Sequence, residues 1–167
     1  FCTLKPEVAE GHYWLSGALL EAGRRTEALA EIEAAFALAP RLDPIRYRWG
    51  KILISLGKLA DAARVLEPLV PRWQQEAELF WLLGKCAMGL ERPNQAVLYL
   101  RQAVALNPET AELQAQLGSA CTAMGRMAEA AVAWQKASEL GLNPAQRLSY
   151  GNFLLEDGKV EEADRKS

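Results

Sequence analysis

The sequence predicts an all-α protein in which antiparallel helix pairs repeat along the chain and stack into a solenoid. The first observation is a glycine that recurs after 34, 34 and then 33 residues, at Gly50, Gly84, Gly118 and Gly151. The second is an alanine that recurs in the same register, at Ala28, Ala62, Ala96, Ala130 and Ala163. The third is that apolar residues within each period are spaced three or four apart, as on one face of a helix.

Residues 80–108 show the repeating unit in full. Two helix-period segments lie within it, and each has an apolar stripe: Phe80, Leu83 and Ala87 on the first, and Val97, Leu100 and Val104 on the second. The polar break between them has the length that joins antiparallel neighbours. Gly84, Ala96 and Ala103 carry almost no side chain, so we expect the two helices to approach closely there. Each unit is therefore predicted to be a helical hairpin.

Further residue types keep the same register along the chain. A large residue precedes each packing glycine, and loop glycines recur at Gly23, Gly57, Gly125 and Gly158. Prolines close the second helices at Pro6, Pro40 and Pro108. This pattern resembles the tetratricopeptide repeat. The resemblance implies a right-handed superhelical α-solenoid, whose first helices line a concave groove and whose second helices form the outer face.

The register divides the chain into units that together form one repeat domain. Residues 1–8 are predicted to be the tail of a preceding repeat, and four repeats follow at 9–42, 43–76, 77–110 and 111–143. Residues 144–167 form a truncated fifth repeat whose first helix should span about 145–157, so the sequence looks like a fragment of a longer protein. Pro68 lies within the second helix of the second repeat, which should therefore bend or end early.

Composition narrows the range of partners and compartments. A net charge of −2 gives no electrostatic reason to expect nucleic acid as a partner. No apolar run reaches the roughly 18 residues that span a bilayer, so we expect no membrane insertion. Cys2, Cys86 and Cys121 have no motif spacing; we interpret Cys86 and Cys121 as buried thiols, which favours a reducing compartment, the cytoplasm. A leader ahead of Phe1 would instead indicate the periplasm.

The residues form no recognisable constellation for catalysis. His12 is the only histidine, and there is no glycine-rich phosphate loop and no Cys-x-x-Cys pair. We therefore expect no catalytic residue, no metal and no cofactor, and the chain is not predicted to be an enzyme.

Positions that vary between repeats are the candidates for binding, because packing does not fix them. One first-helix position reads Tyr13, Tyr47, Trp81, Ala115 and Leu148, and the position four residues later reads Gly17, Lys51, Lys85, Ser119 and Asn152. The resemblance implies that both positions face the groove. The candidate groove residues are Tyr13, Tyr47, Arg48, Lys51, Trp81, Lys85 and Met88. Such a strip suits a protein or peptide with apolar and acidic residues. The alternative remains open that these aromatics only pack between adjacent units.

Three functions fit the sequence. The first is a protein–protein interaction scaffold that binds a partner protein or peptide in a concave groove. The second is a non-catalytic segment of a larger enzyme, such as a glycosyl or sulfuryl transferase, or of a polysaccharide secretion subunit. The third is a self-assembly module that associates through its end repeats. The fold is shared by many unrelated functions, so it does not choose among them.

Overall fold

The computed structural model describes the backbone of residues 6–166 and the side chains of residues 7–158. This part of the chain contains helices and no strand, which confirms the all-α prediction. The α-helices are α1 (Pro6–Glu21), α2 (Arg25–Leu38), α3 (Asp43–Ser55), α4 (Leu59–Leu66), α5 (Ala77–Gly89), α6 (Pro93–Leu106), α7 (Ala111–Ala123), α8 (Met127–Leu140) and α9 (Pro144–Lys166). They belong to two compact units, residues 1–74 and 75–167, called unit 1 and unit 2 below.

Unit 1 contains two helix pairs. α1 packs against α2, α3 packs against α4, and α2 also contacts α3. Its core is formed by small and branched residues, among them Ala28, Ile32 and Ile52, which are all completely buried. The tight turns before α2 and α4 place Gly23 and Gly57 at φ of 76° and 74°, a conformation that favours glycine. The loop glycines therefore end the first helices, as their register predicts.

The second helix of the second repeat is shortened by proline. α4 ends at Leu66 after 8 residues, whereas α2, α6 and α8 each have 14. A short 3₁₀ turn, Glu67–Leu69, continues from α4 and contains Pro68. Because proline removes a backbone donor and clashes with the preceding turn, it disfavours a regular helix at this point. The prediction that this helix bends or ends early is confirmed.

The packing glycines allow helices of one pair to touch. A Cβ atom built on Gly84 would lie 2.7 Å from Cγ of Leu100, and one on Gly118 would lie 2.9 Å from the Trp134 ring. Both distances are shorter than van der Waals contact. Leu100 and Trp134 are at most 2% exposed, so they have little room to move away. The close approach that the glycine register predicts is therefore present in unit 2.

α9 differs from its predicted length. The prediction that the first helix of the fifth repeat ends near Asp157 is wrong, because α9 continues to Lys166. Gly158 lies at the register of the loop glycines, but it is helical and does not adopt their positive φ. No turn forms at this glycine, so the helix runs on.

Two further sequence predictions concern buried thiols and membrane insertion. Cys86 and Cys121 are buried, which agrees with the prediction, and Cys2 lies outside the described residues. Among the described helices, none combines the length and the apolar character needed to cross a bilayer.

Candidate partner-binding surface

The aromatic position of the first helices carries a cation beside its ring in three successive repeats. The guanidinium carbon of Arg48 lies 3.6 Å from the ring centroid of Tyr13. The ammonium nitrogens of Lys51 and Lys85 each lie 5.6 Å from the centroid of the aromatic residue one turn earlier, Tyr47 and Trp81 respectively. These separations are within the range of cation–π attraction. The structure thus places six of the seven candidate residues in cation–aromatic pairs.

Arg48 is held between α1 and α3 rather than extended into solvent. Its Nη1 atom donates a hydrogen bond to the carbonyl oxygen of Tyr13 at 2.6 Å, while the guanidinium covers the Tyr13 ring. Gly17 provides the space, because a Cβ there would lie 2.7 Å from Nη1 of Arg48. Sequence reasoning treated Arg48 as additional groove charge and missed this contact. The sequence did contain one indication of this contact, because Gly17 lies at the position where two other repeats have lysine.

Tyr47 is covered by a residue that the sequence did not indicate as part of the site. The Trp73 ring lies 5.1 Å from the Tyr47 ring, centroid to centroid. Nε1 of Trp73 donates to Oδ2 of Asp43 at 3.2 Å, and Arg72 pairs with the same carboxylate at 2.8 Å. Trp73 follows the shortened α4, so the early end of that helix brings this ring to α3. In unit 1, the Tyr47 ring therefore already has an intramolecular partner.

Trp81 and Met88 of α5 are half-buried and contribute to packing in unit 2. Both contact the buried cluster that includes Val97, Leu100 and Trp134. The Nε1 atom of Trp81 is buried without a hydrogen-bond partner. Lys85, one turn after Trp81, is exposed. Packing against this cluster thus accounts for part of the Trp81 surface. Trp81 also lines the cavity of unit 2 that is described next.

Three cavities recur on the first helices at matching repeat positions. Unit 1 has a cavity of about 240 Å³ between α1 and α3, lined by Glu10, Tyr13, Trp14, Leu42, Pro44 and Ile45. Unit 2 has a cavity of about 230 Å³ between α5 and α7, lined by Ala77, Glu78, Trp81, Asn107, Thr110, Glu112 and Leu113. A further cavity of about 240 Å³ lies between α7 and α9, and its walls include Glu112, Ala115, Ser119 and Gln146. A glutamate lines each of the three.

The cavity of unit 1 is mainly aromatic and aliphatic. Trp14 is 61% exposed and Leu42 is 50% exposed, so both leave apolar surface accessible beside the cavity. The Trp14 ring packs edge-on against Tyr13 at 5.2 Å, and its Nε1 atom donates to Glu10 at 3.1 Å. Nothing in the sequence pattern singles out Trp14. It lies next to the variable aromatic position but outside the repeat pattern.

Polar clusters elsewhere hold helices together rather than forming a reactive centre. Nδ1 of His12 lies 2.6 Å from Oε2 of Glu31, which links α1 to α2. Hydrogen bonding from Arg101 holds the pKa of Glu129 below its usual value, and burial raises the pKa of the nearby Cys121 thiol. Among the residues whose side chains are described, no three His, Cys, Asp or Glu side chains form a group that could hold a metal ion.

Comparisons with known proteins agree on the repeat architecture. Profiles of the tetratricopeptide repeat match residues 6–86 and 87–146. No curated protein sequence matches the chain significantly.

Solved structures with the same fold include several tetratricopeptide repeat proteins. MamA of Desulfovibrio magneticus RS-1, from residue 41 to its end, is 26% identical with a TM-score of 0.75 over 79% of this chain and 75% of that one. TTC0263 of Thermus thermophilus is 23% identical, with a TM-score of 0.69 over 93% and 86%. YrrB, described as having an unusual peptide-binding site, is 24% identical with a TM-score of 0.71 over 78% and 67%.

Proposed function

Because the chain belongs to the tetratricopeptide repeat family, we propose that it is a non-catalytic scaffold that binds a segment of a partner protein along its first helices. The observation that carries this proposal is the recurrence of cavities at equivalent positions in both units. Each of these two cavities has an aromatic wall from the variable position, Tyr13 or Trp81. Concave sites with apolar walls and a few polar groups are where proteins usually take up ligands.

The two units offer different surfaces to such a segment. In unit 1 the exposed rings and aliphatic groups around Trp14 and Leu42 suit an apolar side chain. Aromatic side chains in pockets of this kind commonly contribute most of the binding energy of an interface. In unit 2 the cavity beside Trp81 is lined by carboxylates as well. We thus expect the cavity of unit 1 to take up an apolar side chain and the cavity of unit 2 to take up a side chain with a polar group.

The test compares partner capture by the wild-type chain with capture by a variant of the candidate surface. Tyr13 and Trp81, which line the two cavities, are changed to alanine, because the fourth repeat naturally has Ala115 at this position. We expect the folded variant to lose the proteins that the wild type retains from a lysate. Circular dichroism checks that helix content is unchanged.

The matched control changes exposed apolar residues of the second helices. Leu98 of α6 and Val132 of α8 are 66% and 71% exposed, and both are replaced by alanine. This variant should capture the same proteins as the wild type, because neither Leu98 nor Val132 lines the cavities described above. Capture that survives in the first-helix variant, or that is lost in the control, would refute the assignment of the surface.

Self-association is a second candidate that one observation favours. Leu148, Leu154 and Leu155 of α9 are 50% to 69% exposed, and among the described residues no side chain or neighbouring helix lies within 4 Å of a Cβ built on Gly151. The equivalent glycines, Gly84 among them, are covered by a large side chain of the next helix. We propose that a second copy covers this apolar face. Light scattering over a concentration series should show the molecular mass of the wild type increasing, while that of a Leu148→Glu variant stays constant. A constant mass for the wild type would exclude self-association.

A further inference from the structure

We propose that the cavity between α5 and α7 receives an arginine or lysine side chain of the partner protein. The inference rests on the proposed scaffold function. It names the chemical class of the partner side chain that would bind in this one cavity. It differs from the expectation drawn from the sequence, in which Lys51 and Lys85 favour an acidic partner.

The cavity has the shape and the walls for one long side chain. Its volume is about 230 Å³, and it lies between the first turns of α5 and α7. The Trp81 ring forms one wall, and Leu113, which is 5% exposed, forms part of the apolar floor. Arginine and lysine pack their methylene stems on apolar surfaces of this kind while the charged end reaches polar groups.

The charged groups that line the cavity are carboxylates. Glu78 comes from the first turn of α5 and Glu112 from the first turn of α7, and no lysine or arginine is among the lining residues. Lys85 lies outside this lining, one helical turn further along α5. Two carboxylates beside a tryptophan ring favour a cationic group, because charge-assisted hydrogen bonds and cation–π attraction act together on it.

Glu112 is oriented by neighbouring amides. Nε2 of Gln116 donates to its Oε1 atom, and Nε2 of Gln146 donates to its Oε2 atom. Each carboxylate oxygen has more than one lone pair, so these bonds leave acceptor capacity for a ligand. A carboxylate that is already held in place loses less conformational entropy when a ligand binds.

Unit 1 shows that this fold forms a guanidinium–aromatic contact at the equivalent ring. There Arg48 of α3 covers Tyr13 of α1 at 3.6 Å. Two repeats later, the position of Arg48 is occupied by Gln116, whose amide donates to Glu112 instead. In unit 2 the chain itself therefore supplies glutamine where unit 1 supplies a guanidinium. At Trp81 the ammonium of Lys85 lies 5.6 Å from the ring centroid but outside the cavity lining, so a cation from a partner would reach the ring from the cavity side.

The experiment selects peptides from a displayed library of random dodecapeptides on the immobilised 167-residue chain. We expect the retained peptides to be enriched in arginine and lysine relative to the starting library. The best basic peptide is then synthesised, and its Kd is measured by calorimetry for the wild type and for a Glu78→Gln/Glu112→Gln variant. The double variant should weaken binding by about tenfold or more, as expected when charge-assisted contacts are lost.

The matched control is a Glu139→Gln/Glu156→Gln variant, which removes two exposed carboxylates of unit 2 outside the cavity. Its Kd should stay within about twofold of the wild type, which excludes a general effect of net charge. Retained peptides without basic enrichment, or equal Kd values for the wild type and Glu78→Gln/Glu112→Gln, would overturn the inference and leave the scaffold function standing. If no peptide is retained and no protein is captured from a lysate, both proposals are wrong.

Discussion

Replacing Gly84 with alanine tests the close helix packing on which the repeat register depends. The added Cβ would lie 2.7 Å from Cγ and 2.8 Å from Cδ2 of Leu100, a side chain that is completely buried. Overpacking of this kind costs about 1–3 kcal/mol. Alanine is favoured over glycine within a helix by about 1 kcal/mol, which offsets part of that cost. We expect Gly84→Ala to lower the free energy of unfolding by up to about 2 kcal/mol.

The matched control is Gly151→Ala in α9. This glycine is also helical, but no side chain or neighbouring helix in the described part of the chain lies within 4 Å of its added Cβ, so alanine should stabilise the chain by about 1 kcal/mol. Urea denaturation followed by circular dichroism measures both variants, with a check that the slope of the transition is unchanged. The difference between them isolates the steric cost. If Gly84→Ala stabilises as much as Gly151→Ala, helices α5 and α6 do not approach as described.

A double-mutant cycle identifies the residue responsible for the steric cost. Leu100→Ala alone should cost about 2–5 kcal/mol, because it leaves a cavity in a fully buried core. In that background the methyl group of Gly84→Ala has room, so the second substitution should become neutral or stabilising. Additive effects would contradict the contact between the two positions.

Three further predictions concern unit 2. Trp134→Ala should lower the free energy of unfolding by about 3–5 kcal/mol in urea denaturation, because the ring is 2% exposed and fills the space beside Gly118. Because burial raises the pKa of the Cys121 thiol, iodoacetamide should label its peptide slowly in the folded chain and rapidly in urea, as followed by mass spectrometry. Hydrogen bonding from Arg101 lowers the pKa of Glu129, so the unfolded state binds more protons in acid and the stabilisation is lost as the pH falls. Glu129→Gln should therefore lower the urea midpoint near pH 7, and the difference from the wild type should shrink below about pH 4.

The pairing of helices and the early end of α4 could be predicted from the sequence, because each depends on local residue types. A glycine at Gly84 permits close approach whatever the rest of the chain does, and Pro68 disfavours a regular helix wherever it lies. Gly158 shows the limit of this reasoning. Glycine permits the positive φ of a turn but does not require it, and here the residue stays helical.

The partners of the candidate groove residues could not be predicted in the same way. The register identifies the position that Tyr13 and Tyr47 share, but it does not state which distant side chain reaches each ring. Arg48 reaches Tyr13 because Gly17 leaves space, and Trp73 reaches Tyr47 because α4 ends early. Both contacts join residues in different helices or loops, so they depend on the three-dimensional packing of unit 1.

The most direct test of the proposed scaffold maps a bound peptide onto the chain by NMR. Backbone amide shifts are recorded for the labelled chain with and without a peptide retained in the library selection. We predict that the largest shift changes occur in first helices, either in α1 and α3 around the cavity lined by Tyr13 or in α5 and α7 around the cavity lined by Trp81. Changes concentrated on α2, α6 and α8 would contradict binding along the first helices.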